Sequence, residues 1–118
     1  MANILVLDDV QDAGTLIKRI LSRKGHTVHS FTEEEECIDF ARKNPVDLAI
    51  LDMKLKKMSG MEVLEELMRI SSDIKVMMLT GYPTLETARE SLSLGAVEYC
   101  VKPIDKDELE TKVAEMLG

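Results

Sequence analysis

Five short apolar runs, separated by segments with helical periodicity, constrain the fold of this chain more than any other feature. Short runs rich in Val, Ile and Leu are typical of buried strands, and amphipathic segments between them are typical of helices. Regular alternation of the two predicts a parallel sheet covered by helices on both faces. We therefore predict an α/β fold of five βα units, (βα)5. The predicted strands are Ile4 to Leu7, Thr27 to Phe31, Val46 to Leu51, Ile74 to Leu79 and Val97 to Val101.

The second of these runs, Thr27 to Phe31, is the most polar and alternates polar with apolar residues. Such a strand belongs at the edge of a sheet, where one side is less buried. The doubly wound, flavodoxin-like strand order 2-1-3-4-5 places the second strand at an edge and makes the first and third strands neighbours. We predict this order, with right-handed crossovers between the strands.

Each predicted helix has an apolar face, and the second and the last also have start signals. We expect Thr32 to be the N-cap of the second helix, with Glu35 completing a capping box. The acidic run from Glu33 to Glu36 is interpreted as solvated first-turn residues. Asp105 begins the last helix. The residues expected to face inward are Leu16, Ile17, Ile20 and Leu21; Cys37, Ile38, Phe40 and Ala41; Met61, Leu64, Leu67 and Met68; Leu85, Ala88 and Leu92; and Leu109, Val113 and Met116.

Composition excludes several classes of function. With 118 residues the chain is long enough for one domain. Fifteen basic and 22 acidic residues give a net charge of −7, which repels phosphate backbones and argues against direct nucleic-acid binding. Cys37 and Cys100 are too few for a disulfide framework and are expected to be reduced packing residues. We find neither a signal peptide nor an apolar run long enough for a bilayer, so we expect no membrane association and a cytoplasmic location.

Polar residues follow four of the predicted strands. The first strand is followed by Asp8 and Asp9, the third by Asp52, the fourth by Thr80 and the fifth by Lys102. In a doubly wound sheet, ligands bind beyond the carboxyl ends of the strands near the point where the strand order reverses. We therefore expect the three carboxylates to converge there, flanked by the hydroxyl and the ammonium.

This set of side chains suits phosphoryl chemistry. Three carboxylates in one cleft repel one another, and a hard divalent cation such as Mg²⁺ relieves the repulsion through oxygen ligands. A carboxylate can also act as a nucleophile toward phosphorus. The metal, Lys102 and Thr80 would then neutralise the equatorial oxygens of the transferred group, with Asp52 as nucleophile.

The chain resembles the response-regulator receiver domains of two-component signalling over residues 1–118. The resemblance lies in motifs spread along the whole sequence, which together are a specific signature. They are the Ile-Leu-Val-Leu-Asp-Asp segment ending at Asp9, the Asp47-Leu-Ala-Ile-Leu-Asp52-Met53 segment, Met58-Ser-Gly60, Leu79-Thr80-Gly81, and Gly95-Ala96 followed by Tyr99 and Lys102-Pro103.

The resemblance implies a phospho-acceptor and a metal site. Asp52 would accept a phosphoryl group from the phosphohistidine of a sensor histidine kinase or a phosphotransfer protein. Asp9, Asp52 and the backbone carbonyl of Met53 would ligate Mg²⁺, for which Mn²⁺ would substitute, and Asp8 would assist through water.

The resemblance also implies a switch. Thr80 would move onto the phosphoryl group, Lys102 would stabilise it, and Tyr99 would swing inward behind Thr80. The Lys102–Pro103 peptide is expected to be cis. The face made by the fourth helix, the fifth strand and the last helix would then bind an effector or a second copy of the chain.

Lys54 and Tyr82 each lie two residues beyond a motif residue, at positions that vary in the family and tune the lifetime of the phosphoryl group. We predict that both side chains overhang the site. An ammonium cannot accept the proton of an attacking water and a phenol ring mainly occupies space, so we expect slow hydrolysis.

Three alternatives remain beside this interpretation. A haloacid-dehalogenase-type phosphatase would need a second Asp two residues after the nucleophile, where this chain has Lys54. A flavodoxin-like cofactor binder would need a Gly-rich or hydroxyl-rich phosphate loop after the first strand, where this chain has Asp8 and Asp9. A degenerate receiver would lack part of the acidic set. The sequence leaves open the cognate kinase, the output, the oligomeric state, and whether the chain acts alone or within a larger protein.

Overall fold

The computed structural model describes residues 1–55 and 57–118. Within them, strands and helices alternate five times, as predicted. The strands are β1 (Asn3–Leu7), β2 (Thr27–Phe31), β3 (Leu48–Asp52), β4 (Lys75–Thr80) and β5 (Glu98–Val101). The helices are α1 (Gln11–Ser22), α2 (Glu34–Lys43), α3 (Gly60–Ile70), α4 (Leu85–Ser93) and α5 (Lys106–Leu117).

The strands form one parallel sheet in the order β2-β1-β3-β4-β5, which confirms the predicted α/β fold and strand order. Its register aligns the strand ends that matter for function. Leu7 of β1 pairs with Leu51 of β3, so Asp8 and Asp52 are the next residues on two neighbouring strands. Thr80 of β4 pairs with Val101 of β5, one residue before Lys102.

Apolar side chains cover both faces of the sheet. The side chains of β1 alternate between the two faces: Ile4 and Val6 pack with helices α1 and α5, and Leu5 and Leu7 pack with α2 and α3. All residues of β3 are buried, as expected for a central parallel strand. Full burial of one such aliphatic side chain contributes about 1.5–3 kcal/mol. These two cores fix the positions of the strand ends.

The apolar faces of α1 and α4 differ from the prediction. Leu16 is 54% exposed, Leu85 is 68% exposed and Leu92 is 51% exposed, although all three were expected to face inward. In α4 the buried residue is Ser91, whose Oγ lies 3.9 Å from the sulfur atoms of Met53 and Met61. A small residue of α4 therefore faces these two long side chains.

The start of α2 also differs from the prediction. The helix begins at Glu34 with Glu33 as its N-cap residue, so the proposed capping box of Thr32 and Glu35 is wrong. Glu34 is only 1% exposed, so the acidic run is not solvated throughout. The Asp105 cap of α5 is confirmed: its Oδ1 accepts a hydrogen bond from the amide of Glu108.

Three strands begin later than the sequence predicts. β3 starts at Leu48, β4 at Lys75 and β5 at Glu98, whereas the apolar runs begin at positions 46, 74 and 97. Ile74 precedes β4 and is nevertheless buried. At the start of β4, the apolar run therefore marks where burial begins and not where strand pairing begins.

Both cysteines are free and buried, as expected for packing residues. Burial, assisted by the nearby carboxylate of Glu34, raises the pKa of Cys37 to about 12. The thiol is therefore protonated at neutral pH and a poor nucleophile. None of the helices in the described ranges is long and apolar enough to span a bilayer.

Candidate functional site

Three carboxylates meet at the carboxyl ends of β1 and β3. Asp8 and Asp9 follow β1, and Asp52 is the last residue of β3. Each contributes an oxygen to a cluster whose oxygens all lie within 4.8 Å of one another. Asp8 and Asp52 are buried and Asp9 is partly exposed, so the cluster opens to solvent on the Asp9 side. The predicted convergence of these residues is therefore present.

Lys102 brings an ammonium group into the cluster from the end of β5. Its Nζ lies 2.8 Å from Oδ2 of Asp8 and 3.3 Å from Oδ2 of Asp52. The peptide between Lys102 and Pro103 is cis. Burial lowers the pKa of Lys102, but hydrogen bonding and attraction to the two aspartates more than offset this, so the pKa is raised. The ammonium stays charged at neutral pH.

Asp52 is 8% exposed and lies between opposing influences. Its Oδ1 accepts a hydrogen bond from the amide of Lys54 at 3.3 Å. Burial raises the pKa of Asp52, Lys102 lowers it and Asp8 raises it, and the net shift is upward. The ionised carboxylate is thus less stable here than in water.

The loop between Asp52 and α3 packs against the backbone of the site. Gly60 begins α3 so close to the strand that an added Cβ would lie 2.2 Å from the carbonyl oxygen of Asp52. Only glycine fits this approach without a backbone shift. The amide of Gly60 donates to the carbonyl of Met53 at 2.9 Å, and Ser59 and Glu62 form a capping box that fixes the helix start.

Thr80 and Tyr99 lie on the β4 and β5 side of the site. Thr80 is buried, and its Oγ1 accepts a hydrogen bond from the amide of Tyr82 at 3.0 Å. The hydroxyl of Tyr99 lies 2.7 Å from Oγ1 of Thr87 and accepts a longer bond from the amide of Thr84. Tyr99 therefore links β5 to the first turn of α4.

A family model confirms what this arrangement indicates. The model that describes the response regulator receiver domain matches residues 4–114. The chain belongs to the response-regulator receiver family. Its members are signalling switches of two-component systems, and the phosphatase alternative finds no support.

Similar proteins agree with this assignment. The receiver is 32% identical over 114 residues to sporulation initiation phosphotransferase F of Bacillus subtilis, with 97% of this chain and 92% of that protein covered. It is 31% identical over 116 residues to transcriptional regulatory protein ZraR of Klebsiella oxytoca. That alignment covers 98% of this chain but only 26% of ZraR. The crystal structure of a CheY-like response regulator receiver domain protein from Methanospirillum hungatei JF-1 has a TM-score of 0.95 and 32% identity, with 99% and 94% of the two chains covered.

The acidic cluster of this receiver has the composition of a divalent-cation site. Three carboxylates within 4.8 Å carry three negative charges when ionised, and the ammonium of Lys102 offsets one of them. The remaining charge and the all-oxygen donor set suit a hard cation. Receivers use Mg²⁺ at an acidic pocket, and the residues present here fit that ion.

Lys54 and Tyr82, the two residues predicted to overhang the site and called the rim below, contact each other. Nζ of Lys54 lies 4.5 Å from the centroid of the Tyr82 ring. Both side chains are exposed, so this cation–π contact is worth about 0.5–1 kcal/mol. This contact joins the loop after β3 to the loop after β4.

The sequence analysis missed two residues with roles near the site. Thr87 contacts Tyr99, and Glu34 accepts hydrogen bonds from the loop after β3. Helical spacing would have identified Glu34, because it lies on the same face as Cys37, Ile38 and Ala41. The charge of the residue obscured its position on a buried face.

Proposed function

We propose that residues 1–118 form one receiver domain whose Asp52 accepts a phosphoryl group from a phosphohistidine of a sensor histidine kinase or a phosphotransfer protein. The observation that carries this proposal is the pairing of Lys102 with both Asp8 and Asp52, beside the carboxylate of Asp9. It supplies a nucleophilic oxygen, a cation for the transferred oxygens and ligands for a metal in one partly open cleft.

The transfer reaction follows from these positions. An oxygen of Asp52 attacks phosphorus, and the bond between phosphorus and the imidazole nitrogen of the donor breaks. The imidazole keeps the electron pair and takes up a proton. Lys102 and the hydroxyl of Thr80 stabilise the equatorial oxygens. Thr80 accepts a hydrogen bond from the amide of Tyr82, which leaves its own O–H able to donate.

Asp9 and Asp52 would hold Mg²⁺, or Mn²⁺ in its place, with Asp8 acting through water. The metal would supply positive charge against the phosphoryl oxygens. A backbone carbonyl of the loop would complete the protein ligands. The carbonyl oxygen of Met53 already accepts a hydrogen bond from the amide of Gly60 at 2.9 Å, so it would have to bind the metal and this amide at once. The carbonyl of Lys54, the next residue, is therefore the second candidate.

An apolar groove beside the site supports docking of a phosphohistidine-bearing partner. The groove has a volume of about 390 Å³ and lies between α1 and the start of α5. Asp8 and Lys102 form its polar end. The exposed Leu16 offers a contact for the apolar face of a partner helix. Its other lining residues include Ile17, Ile20, Pro103 and Ile104.

The opposite side of the site supports an output surface. The face of α4, β5 and α5 carries large exposed apolar side chains. Phosphorylation would draw Thr80 toward Asp52 and alter the Tyr99 contact with α4, which biases this face toward an effector or a second copy of the chain. Lys54 and Tyr82 would slow hydrolysis at the rim. The exposed residues are Leu85, Leu92, Val97 and Val101.

Intact mass measurement after incubation with acetyl phosphate and Mg²⁺ tests the proposal. We expect the addition of one phosphoryl group to the wild-type chain and none to Asp52→Asn. Asp47→Asn is a matched control. Asp47 lies just before β3, at the end opposite to Asp52, and accepts a hydrogen bond from the amide of Asn3 at the start of β1, away from the site. Equal labelling of wild type and Asp52→Asn would contradict the assignment of the acceptor.

A further inference from the structure

A buried carboxylate outside the acidic cluster holds the loop that follows Asp52. Glu34 is the first residue of α2 and is 1% exposed. Its Oε2 accepts hydrogen bonds from two successive backbone amides, that of Lys57 at 2.6 Å and that of Met58 at 2.8 Å. Its Oε1 is also buried and has no hydrogen-bond partner within residues 1–55 and 57–118.

The surroundings of Glu34 favour a charged group despite its burial. Desolvation raises the pKa of Glu34, but hydrogen bonds from its own amide and from those of Met58 and Lys57, together with the Lys57 ammonium, lower it overall. The carboxylate also lies at the N-terminus of α2, where the helix dipole favours negative charge. Hydrogen bonds to a charged acceptor are stronger than neutral ones, so the contact is a firm one.

The clamped loop carries the backbone that borders Asp52. Near Asp52 the loop is held by the bond between Gly60 and Met53 and by a bridge between Lys54 and Ser59. Farther out, Glu34 holds it from 23 and 24 residues earlier in the sequence, on a different helix. A carboxylate bound to two successive amides fixes both the position and the orientation of that backbone.

We propose that Glu34 is a positioning residue for phosphoryl transfer, which fixes the loop between β3 and α3 so that the backbone of Met53 and Lys54 faces Asp52 in a metal-binding geometry. This inference rests on the proposed function. Glu34 touches neither the metal nor the phosphoryl group. It acts through the loop, as residues outside a metal's own ligands commonly do.

Two substitutions separate the clamp from general stability. Glu34→Ala removes both hydrogen bonds, whereas Glu34→Gln keeps an oxygen that accepts them. Because loss of a supporting contact typically lowers metal affinity by about 10–100-fold, we expect Glu34→Ala to raise the Kd for Mg²⁺ at least tenfold. Glu34→Gln should restore most of that affinity. Ala41→Gly is the matched control, since it weakens the same helix two turns away and should leave the Kd unchanged.

Amide hydrogen exchange provides a readout that does not depend on metal or phosphate. Exchange at Lys57 and Met58 should accelerate in Glu34→Ala and stay slow in Glu34→Gln and Ala41→Gly. If Glu34→Ala does not fold, Glu34→Asp takes its place with the same expectation, because it keeps the charge and shortens the reach by one methylene.

The outcomes distinguish this inference from the proposed function. A wild-type chain that binds Mg²⁺ and accepts phosphoryl, beside a Glu34→Ala variant that does both equally well, overturns the positioning role alone. A wild-type chain that binds no Mg²⁺ and accepts no phosphoryl overturns the proposed function, and the positioning role falls with it. An unchanged exchange rate at Lys57 and Met58 in Glu34→Ala also overturns the clamp.

Discussion

Helices α3 and α4 both follow a strand that ends in a residue of the candidate site, yet they are attached to the molecule in different ways. Helix α3 follows Asp52 and buries an apolar face together with its first glycine. Helix α4 follows Thr80, and its buried residue is Ser91. The N-terminus of α3 has a capping box and that of α4 is capped by Thr84, but the first turn of α4 is also joined to β5 through Thr87 and Tyr99.

The difference indicates which part of the receiver holds its geometry and which part moves. The many buried contacts of α3 keep the backbone around Asp52 in place. Helix α4 has few apolar contacts with the core and polar ones that can exchange partners, which are the marks of a segment with low local stability. We infer that α4 is the movable element of the switch and that α3 is its fixed reference.

Core truncation should separate the two helices most clearly. Leu67 of α3 is fully buried and Leu92 of α4 is 51% exposed. We expect Leu67→Ala to lower the free energy of unfolding by about 2–5 kcal/mol, and Leu92→Ala to change it by no more than about 0.5 kcal/mol. Urea unfolding of both variants measures the contrast. Similar losses in the two would mean that α4 is packed as firmly as α3.

Metal binding should act on the fixed part of the site. If Mg²⁺ binds the folded chain alone, a concentration of about one hundred times its Kd raises the free energy of unfolding by about 2.7 kcal/mol. Asp9→Asn should lose most of this response, because it removes a ligand from the cluster. Thermal unfolding with and without Mg²⁺ checks the expectation. A full response in Asp9→Asn would place the metal elsewhere.

The contact between Lys54 and Tyr82 joins the loop before α3 to the loop before α4. Replacing both residues should shorten the lifetime of the phosphoryl group on Asp52. In a Lys54→Asn, Tyr82→Glu double variant, an amide and a carboxylate can hold a water in line with phosphorus, as the present pair cannot. We expect hydrolysis of phospho-Asp52 to be about tenfold faster, which corresponds to about 1.4 kcal/mol in the barrier.

The decay is followed with Mg²⁺ present and no kinase. Lys75→Asn, at the opposite end of the sheet, serves as a control that should leave the rate unchanged. A double variant that decays at the wild-type rate or more slowly would remove Lys54 and Tyr82 from the mechanism.

The Tyr99 contact should determine how far the phosphorylation signal spreads. Thr87→Val removes the 2.7 Å hydrogen bond to Tyr99 and should weaken the attachment of α4 by about 0.5–1.5 kcal/mol. With beryllofluoride as a phosphoryl mimic, amide shifts in the wild type should extend from Asp52 into α4 and β5. In Thr87→Val, the shifts of the α4 amides should differ in size from those of the wild type. Wild-type shifts confined to the loops around Asp52 would contradict the switch.

The smallest effect that we expect is the pH dependence of stability in the metal-free chain. Burial raises the pKa of Asp52 above its unfolded value of about 3.9, although Lys102 opposes the shift. The folded state therefore binds the proton more tightly, and stability contributed by this residue falls as pH rises from that value through the folded pKa. Asp52→Asn should lack this loss and be the more stable form at neutral pH. Urea unfolding of both proteins from acid to neutral pH measures this difference. An Asp52→Asn variant less stable than the wild type at neutral pH would contradict the prediction.

The strands and the site residues at their ends were predictable because the signal is local. An apolar run followed by Asp8 or Asp52 identifies a buried strand and the side chain at its end without knowledge of any partner. The order of the sheet followed from the polarity of one strand. The sequence of the chain thus sufficed for the fold class and for the convergence of the carboxylates.

The faces of the helices were less predictable because they depend on neighbours distant in sequence. In α4, leucines appeared at helical spacing, but Leu85 and Leu92 are exposed, and the buried residue is Ser91, which lies 3.9 Å from the sulfur atoms of Met53 and Met61. Glu34 was assigned to solvent because of its charge; the amides of Lys57 and Met58, which make its burial possible, belong to a loop more than twenty residues away. Composition alone does not reveal such long-range hydrogen bonds.

The ion pair between Lys102 and Asp8 spans 94 residues of sequence. Contacts of such separation form slowly, since closing a long loop costs entropy before any contact compensates for it. Translation also supplies Asp52 before Lys102, so a nascent chain carries this carboxylate before the ammonium that pairs with it exists. In the proposed function, competence to accept a phosphoryl group would therefore come late in biogenesis, when β5 joins the sheet.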